Sequence, residues 1–145
     1  MKLPTTDAYK VLTFPGRSIP EQYKGLVTSR WLRTLKYGSD VFKLAYPPSY
    51  WSVYPKHVQS ILDRPNTYVQ IAVLADDEDV ALGFIVREGE TAHYLHTQKD
   101  VRRQGIASYL LKKGLQSVKR FTHITRPGAS FWAAKLPNAV FDPFA

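Results

Sequence analysis

The segment from Thr91 to Lys119 constrains the fold more than any other part of this chain. It begins with residues that alternate in character, continues through a basic turn and ends in a run with helical spacing. The apolar positions of that last run are Ala107, Leu110, Leu111, Gly114, Leu115 and Val118. This spacing is typical of an amphipathic helix packed on a sheet. The segment therefore predicts a strand, a tight turn and a helix that ends near Lys119.

The turn has the composition of an anion-binding loop. Six residues are expected at the N-terminus of the helix: Arg102, Arg103, Gln104, Gly105, Ile106 and Ala107. Unpaired backbone N–H groups and the helix dipole favour an anion there, and Gly105 permits close approach. Arginine adds charge-assisted hydrogen bonds to phosphate. The turn thus predicts a pyrophosphate cradle. The pattern R-x-x-G-x-A specifies only three positions, so a surface turn with a basic rim is the alternative.

In this context, the turn resembles the acyl-CoA-binding signature Q/R-x-x-G-x-G/A of the GNAT family of N-acetyltransferases. The preceding segments TYVQIAVLAD, VALGFIVREGE and TAHYLHTQ follow the strand order of that family, and the resemblance spans Thr67 to Thr125. It implies one α/β (α+β) domain over residues 1–145. Its sheet would be mixed, mostly antiparallel and twisted, flanked by helices, with a cofactor cleft where the fourth and fifth strands splay apart. A looser pattern also resembles small acetyltransferase-like proteins of bacteriophages.

The resemblance implies an acyl-CoA-dependent N-acyltransferase that uses acetyl-CoA or another acyl-CoA. The acetyl group would pass to an amine by direct attack. The implied cofactor-binding residues are Leu95, Thr97, Arg102, Arg103, Gln104, Gly105, Ile106, Ala107 and Ser108. Two other functions stay open: acyl-CoA-dependent modification of nucleic acid, and a catalytically silent module that binds a partner protein.

The candidate catalytic residues are His93, Glu90 and Ser130. Regular strand alternation places His93 on the same side as Leu95 and turns His96 to the other side. The family's glutamate is replaced by Thr91, next to Glu90, while His93 falls where some members carry a histidine in the proton path. Histidine suits a general base, and in that role His93 is expected to face the acceptor cleft. A buried ring that is hydrogen-bonded to a neighbouring strand is the alternative. Many members carry a tyrosine after the fifth strand that protonates the leaving thiolate, but no tyrosine follows Tyr109 in this chain. Ser130 is a candidate weak donor in its place, and protonation of the thiolate by water is the alternative.

The N-terminal part predicts a strand over Ala8–Phe14 and a helix from Pro20 to about Tyr37. Four residues would form the core stripe of that helix: Tyr23, Val27, Trp31 and Leu35. An aromatic, proline-rich loop follows, with a short second helix from Pro55 to about Asp63. Tyr46, Tyr50 and Trp51 in this loop are expected to line the acceptor side, and the alternative is that they cover the sheet as core.

Composition limits the chemistry and the cellular location that we expect for this protein. The 145 residues contain no cysteine, which excludes disulfides and thiolate chemistry, and the histidines lack carboxylates at metal-ligand spacing. No apolar run reaches the length of a membrane span. These features predict a single cytoplasmic domain without a metal, in the host cytoplasm if phage-encoded. They carry no information on oligomeric state.

Positive charge is concentrated in the first half. Residues 1–64 contain 10 lysines and arginines against 4 acids, whereas the remainder contains 10 against 8. Because the turn lies in the second half, the cofactor's phosphates leave most of the excess unexplained. Arg30, Arg33 and Lys36 are expected on one solvent-exposed face of the first helix, where they could bind nucleic acid or an acidic protein surface. A basic face that only aids solubility is the alternative.

Overall fold

The computed structural model describes residues 8–102, 104–114 and 116–145, and this part of the chain contains six strands and four α-helices. Their bounds are β1 Tyr9–Pro15, α1 Glu21–Gly38, α2 Pro47–Leu62, β2 Thr67–Leu74, β3 Asp77–Glu88, β4 Thr91–Thr97, α3 Ile106–Lys112, β5 Arg120–Phe121, α4 Arg126–Lys135 and β6 Val140–Phe141. None of the helices in these ranges is long and apolar enough to cross a membrane.

The six strands form one mixed sheet in sequence order. Strands β1 to β4 are antiparallel, whereas β4 with β5 and β5 with β6 are parallel. Two apolar clusters cover the sheet: one is formed with α1 and α2, and the other includes α3 residues and Trp132 of α4. This arrangement confirms the predicted fold class.

Helix α1 forms as its periodicity predicts. Tyr23, Val27, Trp31 and Leu35 are all buried, since they share the face that packs on the sheet. The expectation for Lys36, however, is wrong. Its side chain is buried, and Nζ donates to the carbonyl oxygens of the loop that follows the helix, at Phe42 (2.9 Å), Lys43 (3.1 Å) and Ala45 (3.0 Å). Lys36 therefore secures that loop instead of facing solvent.

Helix α2 begins eight residues earlier than predicted and includes most of the expected loop. Pro47 and Pro48 occupy its first turn, where the missing N–H groups have no intrahelical partner to lose. Pro55 lies inside the helix instead of starting it. The prolines of this segment allow the helix to start either at Pro47 or at Pro55. The earlier start is adopted because it places Tyr50, Val58 and Leu62 on one buried face of the helix.

Helix α3 is shorter than predicted, because its last turn is capped from the sheet. The fully buried guanidinium of Arg87 donates from Nη2 to the carbonyl oxygens of Leu110 and Leu111, both at 2.8 Å. Gln70 donates from Nε2 to the carbonyl of Lys113 at 2.8 Å. These long-range donors satisfy the carbonyls that a helix end leaves free. Leu115, part of the predicted helix, lies outside the described residues.

Strand β4 contains a bulge at His93. Tyr94 pairs with Val86 of β3, but the next residue of β3, Arg87, pairs with Ala92, which leaves His93 as an extra residue. A bulge breaks the two-residue alternation. Tyr94 consequently belongs to the α1–α2 cluster, whereas Ala92 belongs to the opposite cluster. The regular alternation expected along β4 is therefore broken at His93, and Ala92 faces the opposite side from Tyr94.

Candidate functional site

A cleft opens in the middle of the sheet because β4 and β5 separate. The two strands pair only at Thr91 with Arg120 and at Ala92 with Phe121. Beyond these pairs, the strands diverge and bound a cavity of about 950 Å³ between α1, α3 and α4. This volume is within the usual range for small-molecule sites, about 300–1,000 Å³. Leu95 and Thr97, two of the predicted cofactor-binding residues, line it.

Side chains bridge the strands at the point where backbone pairing stops. The backbone N–H of Thr122 donates to the carbonyl of Ala92 at 3.1 Å. One residue further, the carbonyl of His93 accepts from Thr122 Oγ1 at 3.2 Å and lies 2.9 Å from His123 Nδ1. These contacts hold the base of the cleft in place, and the ring of His123 forms part of its lining.

The predicted turn lies at the edge of this cleft. Gly105 has φ of +85°, a conformation that side chains rarely adopt, and no atom lies within 4 Å of where its Cβ would be. Gly105, Ile106, Ala107 and Ser108 all line the cleft. The turn therefore presents open backbone to the cavity, as a phosphate cradle requires.

The remaining residues of the turn differ in position. Arg102 lines the cleft and donates from Nε to the carbonyl of Thr97 at 3.3 Å, which links the turn to the end of β4. Gln104 is not among the described lining residues, although it has an interaction within the protein. Arg103 lies outside the described residues.

Helix α4 forms the opposite wall. Thr125 caps its N-terminus by accepting from the backbone N–H of Gly128 at 3.2 Å. Ser130, a predicted catalytic donor, faces this cavity together with Phe131 and Lys135. Among the described lining residues, Arg102 and Lys135 carry positive charge, and none is an aspartate or glutamate. The walls of the cleft are therefore positively charged.

The other two predicted catalytic residues lie elsewhere. The expectation that His93 faces the cleft is wrong: its ring is fully buried, and both ring nitrogens are in hydrogen-bond contacts, with Thr122 and Glu88. Burial lowers the pKa of His93, although the hydrogen bond to Glu88 raises it in part. Glu90 lies at the far end of β4, where it forms an ion pair with Lys119 at 2.9 Å.

The three predicted acceptor-side aromatics are not among the described residues that line the cleft. Tyr50 is core instead, because its side chain is buried and its hydroxyl donates to the carbonyl of Leu32 at 2.6 Å. Tyr46 is 69% exposed and Trp51 is 39% exposed, so both lie at the surface of the α2 region. The core alternative is thus correct for one of the three residues.

Other residues reach the cleft that were not predicted as site residues. Tyr94 and Thr34 line it and share a hydrogen bond of 2.5 Å between their hydroxyl oxygens. His96, the second histidine considered for the base, also lines it, and burial lowers its pKa. Regular pairing with β3 from Tyr94 to Thr97 places Tyr94 and His96 on one side of β4, so strand alternation could have identified them together. Among the described residues, no cluster of acids and histidines could hold a metal ion.

Comparisons with known proteins show similarity in structure. No protein-family model and no curated sequence matches the chain. An aminoglycoside acetyltransferase from an uncultured soil metagenomic sample, solved with sisomicin, aligns with a TM-score of 0.52 and 18% identity, over 92% of this chain and 90% of its own. A ribosomal-protein-alanine N-acetyltransferase from Brucella melitensis aligns with a TM-score of 0.50 and 10% identity, over 88% and 90%. The chain therefore has the GNAT fold.

Proposed function

We propose that this protein is an acyl-CoA-dependent N-acyltransferase that transfers an acetyl group from acetyl-CoA to an amine. The observation that carries the proposal is the cleft between β4 and β5, with the Gly105 turn at its edge. Both aligned structures are acetyltransferases, and the shared fold supports the same reaction class. Bound acetyl-CoA would supply an activated thioester, and the residues of this chain would bind and orient it.

The cofactor-binding part of the proposal depends on the turn. The backbone from Gly105 to Ser108 would hold the pyrophosphate, with Arg102 adding positive charge from the end of β4. Leu95 and Thr97 would offer backbone groups along the diverging edge of β4. The space above Gly105 fits this role, because a Cβ there would point into open volume where a phosphate could lie.

The charge of the cleft constrains the acceptor. An amine must lose its positive charge to attack, and positive walls favour the neutral form. No carboxylate among the described lining residues could pair with a substrate that carries several ammonium groups. We therefore propose an acceptor with a single amine, neutral or acidic elsewhere. The aminoglycoside substrate class of the soil acetyltransferase is therefore not extended to this chain.

Nucleic acid is less well supported as the acceptor. Of the three residues expected to form a basic face, Arg30 and Arg33 are exposed, whereas Lys36 is buried and bonded to the loop after α1. The face thus has one cation fewer than the sequence indicates. If the protein binds acetyl-CoA but does not transfer the acetyl group, the alternative of a catalytically silent module that binds a partner protein applies.

Calorimetry with acetyl-CoA tests the proposal. Gly105→Glu places bulk and negative charge where the pyrophosphate would lie, so we expect binding to be lost. Gly25→Glu is the matched control, because Gly25 is exposed on α1 and has no atom within 4 Å of its Cβ position. Equal affinity of the two variants would show that the cradle is misplaced. Release of free thiol with small primary amines then separates an enzyme from a silent module.

A further inference from the structure

Residues from both faces of the sheet line the cleft. The Gly105 turn leads into α3, whose Ile106 and Leu110 belong to the apolar cluster on one face. Tyr94 belongs to the cluster formed with α1 and α2 on the other face, and Thr34 of α1 lines the cleft beside it. A cofactor held at the turn would occupy the α3 side of the cleft. The acceptor amine would therefore approach from the α1 side, where Tyr94 and Thr34 lie.

The hydrogen bonds of Thr34 determine which way the Tyr94 hydroxyl donates. Thr34 Oγ1 donates to the carbonyl oxygen of Arg30, four residues earlier in α1, at 2.5 Å. A threonine in a helix commonly forms this bond. Because a threonine hydroxyl has one proton, Tyr94 must be the donor in the 2.5 Å contact between the two hydroxyls. The proton of Tyr94 thus points to Thr34, and the lone pairs of Tyr94 Oη stay available to accept a further hydrogen bond.

The ring of Tyr94 is held rigidly by its neighbours. It stacks on Trp31, with ring centroids 5.4 Å apart and planes at 10°, and the ring of His123 meets it at 82°. Only 4% of the residue is exposed. Burial raises the pKa of Tyr94 to about 12, so its hydroxyl is neutral at neutral pH. Tyr94 therefore offers the cleft a neutral oxygen in a fixed position.

Other polar side chains near Tyr94 already have partners. Both ring nitrogens of His123 are in hydrogen-bond contacts, and Nε2 of His96 contacts Gln98. Thr125 Oγ1 caps α4. Among the described lining residues, none is an aspartate or glutamate. An amine on the α1 side of the cleft would therefore find its neutral hydrogen-bond acceptor in Tyr94 Oη.

We propose that Tyr94 Oη accepts a hydrogen bond from the acceptor amine and orients it, and that Thr34 positions the Tyr94 hydroxyl for this contact; this rests on the proposed function. A neutral primary amine has two N–H groups and one lone pair. An N–H held by Tyr94 Oη fixes the nitrogen beside β4 and leaves the lone pair free to attack. A hydroxyl that donated into the cleft would instead occupy that lone pair. Thr34 prevents this by accepting the proton, and Tyr94 exchanges no proton with the amine.

Nuclear magnetic resonance of the free protein tests the orientation of the hydroxyl without any ligand. In protein with ¹³C-labelled tyrosine, a hydroxyl proton that exchanges slowly with water gives a cross-peak to its own ring carbons, and Tyr94→Phe assigns the signal. We expect the Tyr94 hydroxyl proton to be visible in the wild type and lost in Thr34→Val. An unchanged signal in Thr34→Val, or rapid exchange in the wild type, would overturn the role of Thr34.

Kinetics with acetyl-CoA and a panel of primary amines (glycinamide, ethanolamine and benzylamine) tests the contact with the amine. Tyr94→Phe keeps the ring and removes the oxygen, so we expect kcat/KM for the amine to fall about 10-fold, with the KM for acetyl-CoA unchanged. Thr34→Val should also lower kcat/KM for the amine about 10-fold, because the Tyr94 proton then turns into the cleft. Thr34→Ser retains the hydroxyl and should restore most of the rate.

Tyr23→Phe is the matched control for the loss of a buried tyrosine hydroxyl. Tyr23 is buried on α1, its hydroxyl donates to the carbonyl oxygen of Glu78 at 2.7 Å, and it is not among the described residues that line the cleft. We expect kcat/KM for the amine to be unchanged in this variant. A fall equal to that in Tyr94→Phe would indicate a general effect of lost packing and would overturn the proposal.

The remaining outcomes separate this contact from the proposed function. Wild-type turnover with equal kcat/KM in Tyr94→Phe shows that the amine binds elsewhere and overturns the proposal. A fall in Tyr94→Phe that Thr34→Val does not share shows that Tyr94 acts as a proton donor, which also overturns it. A fall in Thr34→Val that Thr34→Ser does not restore overturns the positioning role of Thr34. If the wild type fails to bind acetyl-CoA in calorimetry, the proposed function itself fails.

Discussion

The guanidinium of Arg87 occupies the space that a side chain at Gly114 would need. A Cβ built on Gly114 would lie 2.1 Å from Arg87 Cζ and 2.3 Å from Nη1. Within the described part of the chain, no carboxylate pairs with this arginine; it donates to Gln70 and to the carbonyls of Leu110, Leu111 and Gln116. Burial lowers its pKa. This contact ends α3 and thereby sets the position of the turn at the other end of that helix.

Gly114→Ala should destabilise the protein by about 2–4 kcal/mol. The methyl group would displace a guanidinium that is held by several buried hydrogen bonds, and each unsatisfied group costs about 1–3 kcal/mol. Urea unfolding measures the difference. Gly25→Ala is the control, because Gly25 lies in open space inside α1, and alanine there should stabilise by up to about 1 kcal/mol. Equal stability of the two variants would contradict the role of Arg87.

Lys36→Met should loosen the loop that follows α1. The substitution keeps the length of the side chain and removes its three hydrogen bonds to loop carbonyls, at an expected cost of about 1–3 kcal/mol. Limited proteolysis should then cut within residues 39–46. Lys43→Met is the control, since Lys43 is exposed on the same loop. Unchanged cleavage in Lys36→Met would show that the loop is held by other contacts.

Arg102→Ala should weaken acetyl-CoA binding less than Gly105→Glu does. The backbone donors of the turn remain, and only one charge beside the cleft is lost. We expect a loss of about 10-fold in affinity, which corresponds to about 1.4 kcal/mol. Calorimetry at low and high salt measures it, and the difference between the variant and the wild type should shrink as salt screens the charge. If Arg102→Ala loses acetyl-CoA binding completely, the main contact to the pyrophosphate comes from Arg102 and not from the backbone of the turn, which contradicts the prediction.

The protein should lose stability as pH falls below about 6.5. The unfolded chain binds a proton at His123 near pH 6.5, whereas the folded protein resists it until about pH 3, so the unfolded state holds more protons in between. At pH 4.5, this residue alone should cost about 2–3 kcal/mol relative to pH 7.5. His93 and His96, with lowered pKa values, act in the same direction. Urea unfolding at both pH values, with His123→Gln as the comparison, should show a smaller loss in the variant.

Local patterns in the sequence predicted much of the fold. The stripe of α1 from Tyr23 to Leu35 repeats at helical spacing, and a helix buries such a stripe wherever it packs. The conformation at Gly105 also follows from neighbouring residues, whereas the order of the central strands was implied by the resemblance to the GNAT family. Ser130 was predicted from the resemblance to a family and not from local periodicity, and it lines the same cavity as the Gly105 turn.

The tertiary structure decided where the buried polar groups lie. Arg87 and His93 carry polar side chains that normally face solvent, and each is buried here because residues distant in the sequence supply hydrogen bonds. Lys36 is buried because the following loop folds back onto its ammonium group. The partners of Arg87 lie up to 29 positions further along the chain, and His93 bonds to Thr122 across the sheet. The bulge at His93 likewise depends on the register between β3 and β4. Local periodicity contains none of these pairings, because a buried hydrogen bond forms only when folding brings both partners together.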